Sequence, residues 1–351
     1  MKLLKTGLLL FLFFVMVSSI AFAVGEGEEK SVTLKLSTHM PPDTFRSLGS
    51  RLLKEEIEKA TDGKVKIDIY YASSIQTGAE VLIGIRDRVV DMGMVNPSYY
   101  PGQLPVHQGM IVFLKAPGTY NKMLEVVDKL YEMYPELLAE LEDYNQKVMF
   151  TIFPCAFNLS STVPVENMKD FEGLKIRAAN EIYLRMLGDL GANPVSVPWN
   201  DLFMALQTGT IDAVWTNIEA EVAAKFYDVA PYNFTSVEMP LWIPFTYTMN
   251  QDVWNSFSPE VQEQINGALE IVKERYAPLY DEAYEEMVEV MRAEGKGLLV
   301  ASDEDVELWH NLDIIETLFD ELAEKVEKNG VAEDGWQFIE DVNRVMTEAM
   351  K

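Results

Sequence analysis

The chain has 351 residues, 48% of them apolar, enough to fill more than one core. Its 29 basic against 56 acidic side chains give a net charge of −27, which repels phosphates and anionic lipids and argues against nucleic-acid or membrane-surface binding. One cysteine rules out a disulfide framework and a cysteine-built metal site, and three histidines leave little for a histidine-based one; no metal and no cofactor is expected.

The N-terminus reads as an export signal: Lys2 and Lys5, an apolar run over 8–17, then Ala21-Phe22-Ala23 as a small-x-small cleavage pattern. Cleavage after Ala23 removes two lysines and no acid, taking the net charge from −27 to −29 and leaving an exported product with no membrane insertion of its own. Cys155 would then be unpaired and is expected to be buried.

Strand and helix signals alternate from there. Residues 32–37 alternate as a strand and run into the loop Thr38-His39-Met40-Pro41-Pro42. Leu48, Leu52, Leu53 and Ile57 then recur at helical spacing up to Gly63. Further strands are expected at 65–71, 89–95 and 147–153, with helices at 78–88 and 121–144. The pattern restarts with strand 174–177, helix 181–190, strand 194–197, helix 200–208 and strand 210–215. Such βαβ alternation in two copies predicts two domains, each a mixed or mostly parallel sheet flanked by helices, with ligands beyond the carboxyl ends of the strands. The last third is helical: a run over 259–295 long enough to bridge two domains, with a kink or break expected at Pro278, then 303–329 and 334–350.

Catalytic signatures are missing. There is no Gly-x-Ser-x-Gly, no phosphate-cradling glycine loop and no His-Glu-x-x-His. Acidic clusters such as Glu55, Glu56 and Glu58 suit solvated helix faces better than a glycosidase pair. Of the histidines only His39, on a strand-to-helix loop, is placed for ligand contact, with a local structural role as its alternative. The informative stretch is Asp170-Phe171-Glu172-Gly173-Leu174-Lys175-Ile176-Arg177, where a turn feeds a short strand ending in an arginine. At a carboxyl edge that guanidinium can pair a carboxylate bidentately; a surface salt bridge is the other common fate of an arginine.

These residues carry a resemblance to the periplasmic solute-binding proteins of tripartite ATP-independent periplasmic (TRAP) transporters, the DctP-type family. It covers nearly the whole chain after the signal. Its strongest blocks are the Gly-x-Lys-Ile-Arg motif ending at Arg177 and the run Pro198-Trp199-Asn200-Asp201-Leu202-Phe203-Met204-Ala205-Leu206-Gln207-Thr208-Gly209-Thr210-Ile211-Asp212-Ala213. The resemblance implies a periplasmic-binding-protein-like fold of two discontinuous domains, 31–155 with 243–283 and 156–242 with 284–351, and a long helix spanning both. It implies a periplasmic receptor that closes on an organic acid and delivers it to membrane subunits. Arg177 resembles the family arginine that pairs the carboxylate, Trp199 the aromatic against the ligand and Asn180 a polar contact. The family asparagine falls on Thr216 or Asn217. Thr38, His39, Asn96 and Ser98 would line the opposite wall.

Two departures bear on the ligand. Many relatives carry a second arginine in a Gly-Phe-Arg segment that reads Ala156-Phe157-Asn158 here; a neutral Asn158 cannot act as a second cation and is expected instead, with Asn180 and Asn217, to donate to the ligand carboxylate. Trp215 replaces an acidic residue, and with Trp242, Tyr99 and Tyr100 it predicts an aromatic-walled site for a monocarboxylate. A binding protein of an ATP-driven importer or of a sensor kinase shares this cleft logic; a secreted glycoside hydrolase would need two carboxylates in the cleft.

Overall fold

The structure is a computed structural model describing residues 31–239, 242–295 and 297–351; the expected signal peptide, 1–23, lies outside the described residues. Two mixed sheets organise the chain. The first holds β1 (Val32–Ser37), β2 (Val65–Tyr70), β3 (Met92–Val95), β4 (Gln146–Ile152) and β10 (Phe245–Asn250) in the order β2-β1-β3-β10-β4. The second holds β5 (Phe157–Ser161), β6 (Lys175–Arg177), β7 (Asn193–Val195), β8 (Ala213–Asn217), β9 (Tyr232–Thr235) and β11 (Gly297–Val300) in the order β11-β9-β5-β8-β6-β7.

Parallel pairs come from the βαβ units: β1 beside β2 and β3, β6 beside β7 and β8. The antiparallel pairs involve β10 in the first sheet and β5 in the second, where the chain passes from one sheet to the other. Those two strands were not expected from the sequence. Both are buried at every position, so neither shows the in–out alternation by which a half-exposed strand is recognised.

The expected helix 121–144 is two helices, Tyr120–Met133 and Glu136–Glu142, because Pro135 lies between them. The expected helix 303–329 likewise divides into Asp303–His310 and Ile314–Lys328. Pro278 does not break the long helix, which is continuous over Pro259–Glu294. Pro278 and Glu274 both face solvent, so water can satisfy the Glu274 carbonyl that loses its N–H partner.

The long helix packs on Leu48–Ala60 and Tyr120–Met133 beside the first sheet and on Ile218–Ala224 and β11 beside the second. Helix Ile314–Lys328 touches Pro105–Gly109 on the first side and Glu181–Asp189 on the second, while Gly335–Ala349 packs on Tyr120–Met133. Aromatic clusters centre each lobe. Tyr120, Phe150, Tyr247 and Tyr276 stack beneath the first sheet, and Phe157, Phe171, Trp215 and Trp309 beneath the second. Each such pair adds about 0.5–1.5 kcal/mol beyond the area it buries.

Candidate functional site

Arg177 is positioned by its own segment. Asn167 and Asp170 cap the short turn Met168–Phe171, and Gly173, at φ +78°, redirects the chain into β6. Parallel pairing with β7 and β8 puts Arg177 opposite Val195 and Val214, at the carboxyl ends of β6 and β7. There it borders a small cavity between the sheets, of about 40 Å3.

The first-sheet side supplies Met40, Arg46, Asn96, Ser98 and Tyr99; the second supplies Phe157, Arg177, Tyr183, Trp199, Trp215, Thr216 and Asn217. Pro154, Ile243 and Phe245, from where the chain passes between the sheets, complete the wall. The lining among the described residues contains no Asp or Glu.

Arg177 is only 5% exposed. Its Nε donates to the Val197 carbonyl at 3.1 Å, its Cζ lies 5.9 Å from the centre of the Trp199 ring, and its Nη1 has no acceptor among the described residues. Burial lowers its pKa to about 10, which leaves it charged at neutral pH. An unpaired buried cation is costly, and a carboxylate would relieve that cost. Two more buried donors belong to lining residues and lack protein acceptors: Trp215 Nε1 and Asn217 Nδ2. Three donors, no competing acid and an aromatic wall can hold one carboxylate carried on an apolar or hydroxylated body.

Of the other residues singled out in the sequence, Trp199, Trp215, Thr216, Asn217, Asn96 and Ser98 line this cavity. Both candidates for the family asparagine position do so; Asn217 offers the free amide N–H while Thr216 donates to Asn217 Oδ1 at 3.2 Å.

Four residues are not among the lining. Asn158 faces away: its amide nitrogen donates to Glu221, in a fully buried cluster where Ser160 also donates to Glu221 at 2.6 Å. Asn180 caps helix Glu181–Asp189, accepting from the Tyr183 N–H at 3.0 Å. Thr38 Oγ1 accepts from Met40 N–H at 3.2 Å, holding the loop after β1. His39 stands edge-on to Tyr99 at 5.7 Å, behind the wall rather than on it, and burial together with Arg46 pushes its pKa down to about 3. Trp242 stacks on Phe153 and Tyr100 donates to the Gly78 carbonyl, so both belong to the core, while Tyr99 joins Trp215 on the cavity wall.

Arg46 was missed. It lies in the turn Phe45–Ser47 that follows the β1 loop, the same strand-to-helix connection that holds His39, and this placement is the signal that could have found it. A second arginine thus reaches the cavity from the first sheet's side, not from position 158. Its Nε pairs Glu219 at 2.9 Å, its Nη2 donates to Asn217 Oδ1, and its face lies 4.8 Å from the Phe245 ring centre.

A cavity between two mixed α/β lobes, donor-rich, acid-free and spanned by a long helix, defines a solute-binding protein of the two-lobed periplasmic type. The model of the bacterial extracellular solute-binding protein family 7, DctP, matches residues 36–325, and the chain belongs to that family. Its members are receptors for solutes rather than enzymes. A solute-binding protein of Albidiferax ferrireducens is 27% identical over 237 residues, 65% of this chain and 66% of that protein. The 2,3-diketo-L-gulonate-binding periplasmic protein YiaO of Escherichia coli is 23% identical over 259 residues, 73% of this chain and 77% of that one. Among solved structures, a marine metagenome TRAP solute-binding protein specific for aromatic acid ligands superposes with a TM-score of 0.78 at 20% identity, over 92% of this chain and all of the other. One from Rhodoferax ferrireducens in complex with benzoate gives 0.77 at 19% identity, over 91% and 98%. At such identities these structures speak for the fold.

Proposed function

We propose that this chain is the exported receptor of a TRAP-type transporter and that it closes on a small monocarboxylate, with the guanidinium of Arg177 pairing the carboxylate. One observation carries the reading: a cation that is 5% exposed, with no acidic partner among the described residues, on a cavity lined by no Asp or Glu. The acid-free lining also disfavours a glycoside hydrolase, which needs two carboxylates about the scissile bond. Asn217 and Trp215 supply further donors to the carboxylate, and Trp199, Phe157 and Phe245 pack on the remainder of the ligand.

Residues 31–155 with 243–283 form the first lobe and 156–242 with 284–351 the second, the terminal helices 314–349 lying against both. Closure about the connections between the lobes desolvates the ion pair. A signal removed after Ala23 sends the chain out of the cytoplasm, and separate membrane subunits take the ligand from the closed form. The family relatives named for organic acids, such as 2,3-diketo-L-gulonate, support a carboxylate as the ligand class.

Calorimetry with benzoate, butyrate and pyroglutamate tests the site. Arg177→Ala should weaken whichever acid the wild type binds by more than about tenfold, the loss of a charge-assisted bidentate pair; unchanged affinity would overturn the assignment.

A further inference from the structure

Arg46 and Arg177 are the cations among the described lining residues, and their surroundings differ in one respect that matters for a ligand. Arg177 has a carbonyl and an indole beside it. Arg46 has a carboxylate: Glu219, whose side chain is 1% exposed against 8% for Arg46, pairs it at 2.9 Å. The second oxygen of Glu219 accepts the Cys155 N–H at 3.2 Å, so the acid is fixed at both ends. Asn217 occupies another edge of the Arg46 guanidinium, and Phe245 covers its face. Arg46 comes from the turn after β1 and Glu219 from the helix after β8, so the pair crosses between the lobes. Glu219 itself does not line the cavity.

We propose that Glu219 is a specificity-determining residue: by neutralising Arg46 it leaves Arg177 as the uncompensated cation, so the cavity accepts a monoanion and turns away dianions. The inference rests on the acid-binding reading of this cavity and names what sets the charge it selects. A dicarboxylate would bring a second negative group into a desolvated space where the nearest cation is already paired, and burying an unpaired charge is unfavourable. Removing the charge of Glu219 while keeping its shape returns Arg46 to the cavity as a second partner.

The test compares acids matched in carbon skeleton, butyrate with succinate and benzoate with isophthalate, by calorimetry and thermal shift. In wild-type protein the monocarboxylate of each pair binds more tightly. E219Q should raise the affinity ratio of succinate to butyrate by about tenfold, the scale of one charge-assisted pair. R46Q/E219Q, which removes both charges, should return the ratio to the wild-type value. An unmoved ratio in E219Q, or a shift that persists in the double variant, overturns the proposal. Should E219Q alone fail to fold, R46Q provides the opposite arm: it leaves Glu219 as an unpaired anion and must depress succinate more than butyrate, and an unmoved ratio there counts against the role of Glu219. If Arg177→Ala leaves binding of the monocarboxylates intact, the acid-binding reading itself fails. If Arg177→Ala abolishes binding while E219Q leaves the ratio unmoved, Glu219 alone loses its assignment.

Discussion

Buried ionisable side chains divide here into those compensated by the protein and those left for something else. Arg46 is compensated by Glu219; Arg177 is not, and burial holds its pKa at about 10. Binding of an acid through this guanidinium should therefore fall as pH rises through about 10, where the guanidinium loses its proton; pH-resolved calorimetry measures this. His39 sets stability at the other end. Its folded pKa, about 3, lies below its ordinary value of 6.5, so the unfolded chain binds the extra proton between those values. Stability should drop as pH falls through that window, by at most about 1.4 kcal/mol per pH unit. Replacing His39 with Gln should flatten this part of a melting-temperature-against-pH curve, and an unchanged slope would count against it. Glu221 acts in the opposite sense: burial raises its pKa well above 4.5, so the folded state holds a proton that the unfolded chain releases as pH rises.

Single elements show how local signals yield to context. Pro278 lies inside a continuous helix of 36 residues because its solvent-facing position lets water bond the freed carbonyl and because both lobes clamp the helix. Pro278→Ala restores the missing N–H and should stabilise the protein by about 1–3 kcal/mol in denaturant unfolding. Gly335 is different in kind. A Cβ there would stand 2.2 Å from the Ala323 carbonyl oxygen, a backbone atom that cannot rotate aside. Gly335→Ala should force apart helices Ile314–Lys328 and Gly335–Ala349 and lower the unfolding free energy by about 1–3 kcal/mol. A stability equal to wild type would mean the two helices pack more loosely than the structure has them.

Across the whole molecule, the long helix and the passages of chain near Pro154 and Ile243 hold the two lobes together while the cavity lies between them. Hinge closure on an acid should therefore register as a smaller radius of gyration in solution scattering when a bound monocarboxylate is added, and Arg177→Ala should abolish that change. Under the proposed function, the strong negative charge makes docking to membrane subunits weaken as salt is raised, because screening shortens the reach of surface charge.

The sequence by itself determined the alternation of strands and helices, the long C-terminal helix and the place of Arg177 at the end of a strand, because each is written in contiguous residues: period, capping and a motif that ends at a strand's edge. It also pointed to Trp199, Asn96 and Ser98, in the turns that follow β7 and β3, and to Trp215, Thr216 and Asn217, within β8, all of which line the cavity. It could not reveal β5 and β10, whose two buried faces erase the alternation, nor that Asn158 turns toward Glu221 while Phe157 turns toward the cavity. Only the tertiary structure decided that the second arginine is Arg46 and that Glu219, 173 residues away, neutralises it. Charge compensation depends on distance in space, and no spacing along the chain encodes it.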